Sequence, residues 1–393
     1  MWSLGSLAEE CYELGDKLVS LVDATARCWL GTTSTDQKRR PLREWGTMDL
    51  IQLAHAMSHG RIDHPLLLES LFTEVLHKIN DKEQHLSDKT FRTYELTVLM
   101  WAKARLYLTG KTNPIYDVFD DRVCAILLQR IRASSSSLRE QELANLAWSL
   151  TVLQPYKRES SVATNLTKEI FRLSALAAQK GKGLVSQHAH QLWQAYTVLS
   201  HDCPEAVHVP QEFCNLLEER WANEKARAKV SSARHRAISE TLDLMGVAHY
   251  NEHDEDIDVA IVLKENSSWT HDSVKGSISH NNRVAVEFDG PLHFTRQHLP
   301  WFEDITAATS TTTQSSPPRP LGHTILKYWI LKLKNWNVVR IPYYEFDKIP
   351  FWAGMERQRY LQRQLKTHPS IQFSSIDVSE YKAQVPNRQS RYD

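Results

Sequence analysis

A repeat with a period of about 46 residues constrains this chain more than any other feature. Leu50, Leu53, His55 and Ala56 align with Leu96, Leu99, Trp101 and Ala102. These align in turn with Leu143, Leu146, Trp148 and Ser149. A fourth copy, Leu192, Trp193, Gln194 and Ala195, is degenerate, with His188 and Gln191 where the others carry Leu. His55, Trp101, Trp148 and Trp193 are separated by 46, 47 and 45 residues. Self-similarity at this period marks arrays of helical hairpins.

Each anchor precedes a second helical stretch. Leu68, Leu71, Phe72, Val75, Leu76 and Ile79 recur at i, i+3, i+4, i+7 and i+8, and Ile115, Val118, Phe119, Val123, Ile126, Leu127 and Ile131 nearly repeat the pattern. Residues 166–176 and 213–221 supply the third and fourth. This spacing gives one apolar face per helix. A lone hairpin cannot cover such a face, so neighbours must stack. Breakers at 110–114, 134–137, 181–183 and 204–210 separate the units. The expectation is an α-solenoid of four hairpins over residues 48–228. A capping helix and a basic loop, 37–43, should occupy residues 1–47. Trp101, Trp148 and Trp193 read as core residues at one repeat position rather than stacking surfaces.

The texture changes near residue 231. An amphipathic helix with Ile238, Leu242 and Met245 on one face ends at Gly246, a C-cap residue. Strand-like runs follow at 257–263, 283–288 and 338–341. Between the last two lies a helix over 324–335, with Ile325, Leu326, Trp329, Ile330 and Leu333 inward. Polar stretches at 264–282 and 306–320 read as exposed loops. The whole is α plus α/β: the helical array, an α/β module over 231–366 and a tail at 367–393.

The residues richest in chemistry lie in the run from Val284 to Phe294. Side chains alternate faces along a strand. Val284, Val286 and Phe288 should therefore point one way, and Ala285, Glu287 and Asp289 the other. Gly290 and Pro291 turn the chain and return His293 behind the acids. Asp258 lies near the start of the preceding strand. Three carboxylates at adjacent strand ends could hold Mg²⁺, which takes oxygen ligands, and Mg²⁺ could activate water against a phosphodiester. Without a cation, such carboxylates raise one another's pKa. At least one would then be protonated or paired with Lys327 or His293.

Residues 284–349 resemble the RAP domain, found at the C-terminus of organellar RNA-processing factors, including the FAST kinase relatives. The resemblance rests on Glu287, Phe288, Asp289, Gly290, Pro291, His293 and Phe294, then Thr324, Leu326 and Lys327. It continues through Leu331, Trp336, Val338 and Val339 to Ile341, Pro342, Tyr343, Tyr344, Glu345 and Phe346. Such proteins carry helical repeats upstream. The resemblance implies a fold similar to PD-(D/E)XK nucleases, in which Asp258 matches the first acid and Glu287 the second. Four positions depart from the pattern. Asp289 stands where such nucleases place Lys, Tyr328 and Trp329 stand where a basic pair often follows the helix Lys, and Asn335 stands where Gly often precedes the Trp.

The formal net charge is zero, so the total points to no partner. Locally, residues 321–366 hold nine Lys/Arg against three Asp/Glu. Phosphate contact is therefore expected from this segment, with His293, Lys327, Lys332, Lys334 and Arg340 as candidates and Tyr343 and Tyr344 as stacking residues. The first expectation is an RNA-binding protein of mitochondrial or plastid RNA processing, stability or ribosome assembly, on ribosomal or messenger RNA and without a cofactor. A second is a Mg²⁺-dependent endoribonuclease using Asp258, Glu287 and Asp289, with Lys327 as the substitute lysine. A third is a protein scaffold of an organellar ribosome. Five scattered cysteines read as reduced thiols. No apolar run approaches bilayer length. No Gly-rich phosphate loop, HRD or DFG set supports protein-kinase activity. Glu9, Glu10, Glu13 and Asp16 are unlike a transit peptide, so no presequence is expected within residues 1–20.

Overall fold

The repeat seen in the sequence reappears as a repeat of helix ends. Helices α1 (Thr47–Gly60), α3 (Thr93–Arg105) and α5 (Glu140–Leu153) each open with an acid at the third helical position. That acid accepts from the backbone N–H just before the helix: Asp49 from Gly46 at 3.1 Å, Glu95 from Arg92 at 2.7 Å and Glu142 from Arg139 at 2.6 Å. This is the carboxylate half of a capping box. Each of the three is followed by a residue in the left-handed region: Arg61, Tyr107 and Gln154, with φ of 58°, 51° and 55°. These positions keep the 46- and 47-residue spacing of His55, Trp101 and Trp148.

The computed structural model describes residues 17–22, 24–26, 44–81, 91–134, 138–158, 161–179, 184–225, 232–253, 257–262, 283–296 and 317–365. The basic loop at 37–43, the polar stretch 264–282, most of 306–320 and the tail at 367–393 lie outside the described residues. The described chain is mostly helical, with a small mixed sheet towards its C-terminal end. It divides into two compact units. One comprises residues 1–224 together with 293–327, and the other comprises 225–292 together with 328–393. The second therefore does not coincide with a continuous module over 231–366.

In the helical unit, α1, α3, α5 and α7 (Ser186–Asp202) pack each on the next. The second helices of the hairpins, α2 (Pro65–Asn80), α4 (Ile115–Ala133) and α6 (Ser161–Ala177), pack on one another in the same way. Helix α8 (Gln211–Lys225) follows. The apolar face expected on α2 is buried in full. On α4 the face is rotated: Val118 is exposed, while Tyr116, Asp120 and Cys124 are buried. Asp120 explains the rotation. Its carboxylate pairs at 3.0 Å with Lys103 of α3, and both side chains are essentially without exposure. Arg158 joins Asp120 at 3.3 Å, Asp117 at 2.7 Å and Asp121 at 3.2 Å. Two charges taken out of water need such mutual satisfaction.

Trp148 is buried, as expected of a core residue, but Trp101 and Trp193 are only half-buried. Trp101 lies among His55, His59 and Arg105, and Trp193 stacks on Tyr196.

Residues 293–296 and 317–327 belong to the helical unit. Arg296 donates to the Arg61 carbonyl at 2.8 Å, and Arg319 pairs with Asp63 at 2.5 Å. Gly322 approaches so closely that a Cβ there would meet the Ala104 carbonyl oxygen at 2.1 Å.

In the α/β unit the strands run in the order β1 (Tyr250–His253), β2 (Ile257–Val262), β3 (Arg283–Asp289) and β4 (Asn337–Pro342). β1 was not anticipated from the sequence. The first two pairings are antiparallel, and β3 with β4 is parallel. Parallel neighbours need a crossover, supplied by α10 (Gly322–Leu333). The helix before the sheet, α9 (Ala233–Leu244), ends as expected at Gly246, with φ of 70°. Its Ile238 and Leu242 cover one sheet face with Val284, Val286, Phe288 and Leu361 of α12 (Gly354–Leu365). Ala285, Ala260, Leu331 and Trp336 form the core on the other face. α10 stops two residues earlier than expected. Asn335 takes the left-handed conformation at φ 62°, and Trp336 donates back to the Leu331 carbonyl at 2.9 Å. Asn is, after Gly, the residue best suited to that position, which accounts for its place before the Trp.

Removing one partner of a buried ion pair strands the other. Lys103→Ala is expected to lower the unfolding free energy by about 3 kcal/mol or more in urea denaturation. The double variant Lys103→Met with Asp120→Leu should recover most of that loss.

Candidate nucleic-acid interface

Strand β3 brings its acids to the end of a sheet buried on both sides. Val284, Val286 and Phe288 fill the larger core, and Ala285 the smaller. Glu287 and Asp289 fall on the face of Ala285 by alternation, and both are buried, at 2 % and 3 % exposure. A buried carboxylate requires partners, and those of Asp289 come from the two elements that follow β3. Arg340 of β4 donates through Nε to its Oδ2 at 2.8 Å. The Tyr328 hydroxyl of α10 donates to the same oxygen. The Arg340 guanidinium also lies over the Tyr328 ring, 4.3 Å from its centroid. Burial pushes the Tyr328 hydroxyl well above the ordinary phenol range, and the Asp289 charge acts the same way, so Tyr328 keeps its proton and remains the donor. The parallel register sets Arg340 beside Glu287 and Pro342 beside Asp289.

Asp258 has different partners. The register that pairs Val259 with Val286 brings Asp258 to the same end of the sheet. Its Oδ2 accepts the Phe288 backbone N–H at 2.8 Å and lies 3.1 Å from His235 Nε2 of α9. It thus fastens the strand end to α9. Among the described residues, no three His, Cys, Asp or Glu side chains gather in a group that could hold a metal ion. Of the three acids expected to share a cation, Asp258 lies beside His235, and Asp289 pairs with Arg340 and Tyr328.

The expected RNA-contacting residues fall into several environments. Lys332 is exposed on the last turn of α10, and Lys327 is half-buried on the same helix. α10 ends at Leu333, so Lys334 lies beyond it, in the turn that Asn335 closes. Arg340 is committed to Asp289 and Tyr328, with about a third of its side chain still exposed. His293 ends a short helix, Pro291–His293. Its carbonyl accepts from Thr324 Oγ1 at 3.0 Å, and its Nδ1 lies 3.3 Å from the same oxygen. Tyr343 and Tyr344 begin the short helix α11 (Tyr343–Phe346) and are half-buried, their rings nearly perpendicular at 5.6 Å. Burial and the neighbouring Glu345 raise the Tyr344 hydroxyl above its usual range.

Sequence reasoning missed Tyr328 and His235. Tyr328 stood out only as a departure from a basic pair. Its alternative role was legible in part, because it follows Lys327 on the face that carries Leu331. His235 gave no signal, since its contact with Asp258 spans the fold.

Loss of the Arg340 cation should cost more than loss of the Tyr328 hydroxyl. Arg340→Ala is expected to destabilise the α/β unit by about 3 kcal/mol, and Tyr328→Phe by about 1.5–3 kcal/mol, both read from thermal unfolding. An Arg340→Ala protein of unchanged stability would remove Asp289 from this bracing role.

Residues 286–363 match the family model for the RAP domain, about a fifth of the chain. The match begins within β3 and runs through α10, β4 and α11 into α12, so it takes in Asp289, Tyr328 and Arg340 together. RAP domains are in general RNA-binding domains. The chain is a RAP domain-containing protein.

Proposed function

We propose that this protein binds RNA in a mitochondrion or plastid and serves RNA processing, RNA stability or ribosome assembly without cleaving its ligand. The observation that carries the non-catalytic part is the pairing of Asp289 with Arg340 and Tyr328. In the nuclease arrangement that the RAP fold is thought to share, a lysine stands at this position. Here an acid stands there, and its charge is met inside the protein. With Asp258 turned to His235, the acids act as fasteners of the sheet. The helical unit, read as an α-solenoid from its two rows of packed helices, would hold single-stranded RNA or ribosomal protein along its surface. The surplus of Lys and Arg over residues 321–366 would supply phosphate contacts. Among the described residues, no helix is long and apolar enough to cross a membrane.

The endoribonuclease reading would need Asp258, Glu287 and Asp289 to exchange their present partners for Mg²⁺. A single set of measurements separates the two. Filter binding of the full chain to single-stranded RNA is expected to weaken with salt, with a log–log slope of about −0.7 for each phosphate neutralised. Incubation of the same RNA with Mg²⁺ should leave it intact. A flat salt response would remove the phosphate contacts, and cleavage abolished by Glu287→Ala would establish the enzyme instead.

A further inference from the structure

Two aromatic side chains of the α/β unit stand in water. Phe351 is 77 % exposed and Trp352 69 % exposed. Their rings meet edge to face, 4.9 Å apart and at 84°. Next to them in the chain, Met355 is also exposed. Most large aromatic rings are buried on folding, because they carry much apolar surface. The exposure here does not come from a loose end. Ile349 on one side and Ala353 on the other pack against the larger core. Ile349 donates to the Phe346 carbonyl at 3.1 Å, Ala353 to that of Pro350 at 3.0 Å, and Arg357 to that of Ala353 at 3.1 Å. The turn is anchored at both ends, and its two rings brace each other while most of their surface stays open.

The surroundings select the occupant. Residues 348–363 hold four Lys/Arg, Lys348, Arg357, Arg359 and Arg363, against one acid, Glu356. Lys348 is exposed, and the acid beside it, Asp347, is engaged by Arg234 at 3.1 Å. Arg359 lies one helical turn beyond Met355, on the same side of α12. Two rings and a thioether fall far short of the roughly 800 Å² per partner of a stable protein interface. A nucleobase, by contrast, needs only one aromatic face, with a cation within reach for its phosphate.

The geometry points to Phe351 and Trp352 as a stacking platform for the bases of single-stranded RNA, with Lys348 and Arg359 contacting the adjoining phosphates. This rests on the RNA-binding reading above and gives it a place. Tyr343 and Tyr344, the stacking residues expected from sequence, are half-buried; the platform lies a few residues further along the same matched domain.

The experiment is a binding titration of the full chain with a uridine-rich oligoribonucleotide. Trp352→Ala should weaken binding about tenfold or more while leaving the salt slope unchanged. Trp352→Tyr, which keeps a ring, should bind nearly as the parent, and Trp352→Leu, apolar without a ring, should fail as Ala does. Lys348→Ala should lower both affinity and salt slope. Thermal midpoints should not move, because the side chains are exposed. Parent-like affinity in Trp352→Ala, or in Trp352→Leu, would overturn the platform while leaving RNA binding intact. A parent protein that binds no RNA would overturn the functional reading and the platform with it. Sedimentation showing that Trp352→Ala dissociates a dimer would also overturn the proposal, as a contact between copies.

Discussion

A single buried carboxylate ties together the β–α–β part of the RAP domain. Asp289 ends β3, Tyr328 lies on the crossover helix α10, and Arg340 lies on the parallel neighbour β4. All three meet at one carboxylate oxygen. An unpaired carboxylate in that position would cost several kcal/mol, so helix, strand and strand are held to one arrangement. Asp258 acts on the other side of the strand, joining the Phe288 backbone N–H to His235 of α9.

The helical unit meets a comparable demand by repetition. Its first three hairpins reuse one device at each end of the leading helix: an acid that caps the first turn and a left-handed residue that ends the last. The device lapses at α7, where no side-chain cap is made and Cys203 has an extended φ of −156°. The same copy is degenerate in its hydrophobic anchors. Loss of the cap and loss of the pattern go together because both reflect one repeat register. The buried charges of Lys103 and Asp120 add a feature that hydrophobic stacking alone does not specify, joining the two helices of the second hairpin, α3 and α4, through a directional contact.

Much of this was legible in the sequence, and the reasons differ from element to element. The period of the array and the alternation along β3 were visible because each leaves a regular spacing of apolar residues. The caps were visible too, since Asp49, Glu95 and Glu142 share the spacing of His55, Trp101 and Trp148, but attention to apolar positions alone passes over them. The rotation of α4 was hidden, because periodicity reads Asp120 as a solvent-facing residue and only its pairing with Lys103 turns it inward. β1, at Tyr250–His253, lacks the apolar alternation that announces a strand. At the site, the acids could be placed on a face but their partners could not. Whether three carboxylates share a cation or turn to separate neighbours depends on His235, Tyr328 and Arg340, which lie far apart in the chain and are brought in by the fold.

In the proposed function, a surface of the α/β unit meets RNA while its acids stay engaged within the protein. The most direct measurement is hydrogen–deuterium exchange of the full chain with and without single-stranded RNA. Protection should rise in the segments around Lys332 and from Tyr343 into α12, with no change in the β3 amides around Glu287 and Asp289. RNA that binds while protection appears only along the helical array, or that loosens the end of β3, would contradict it.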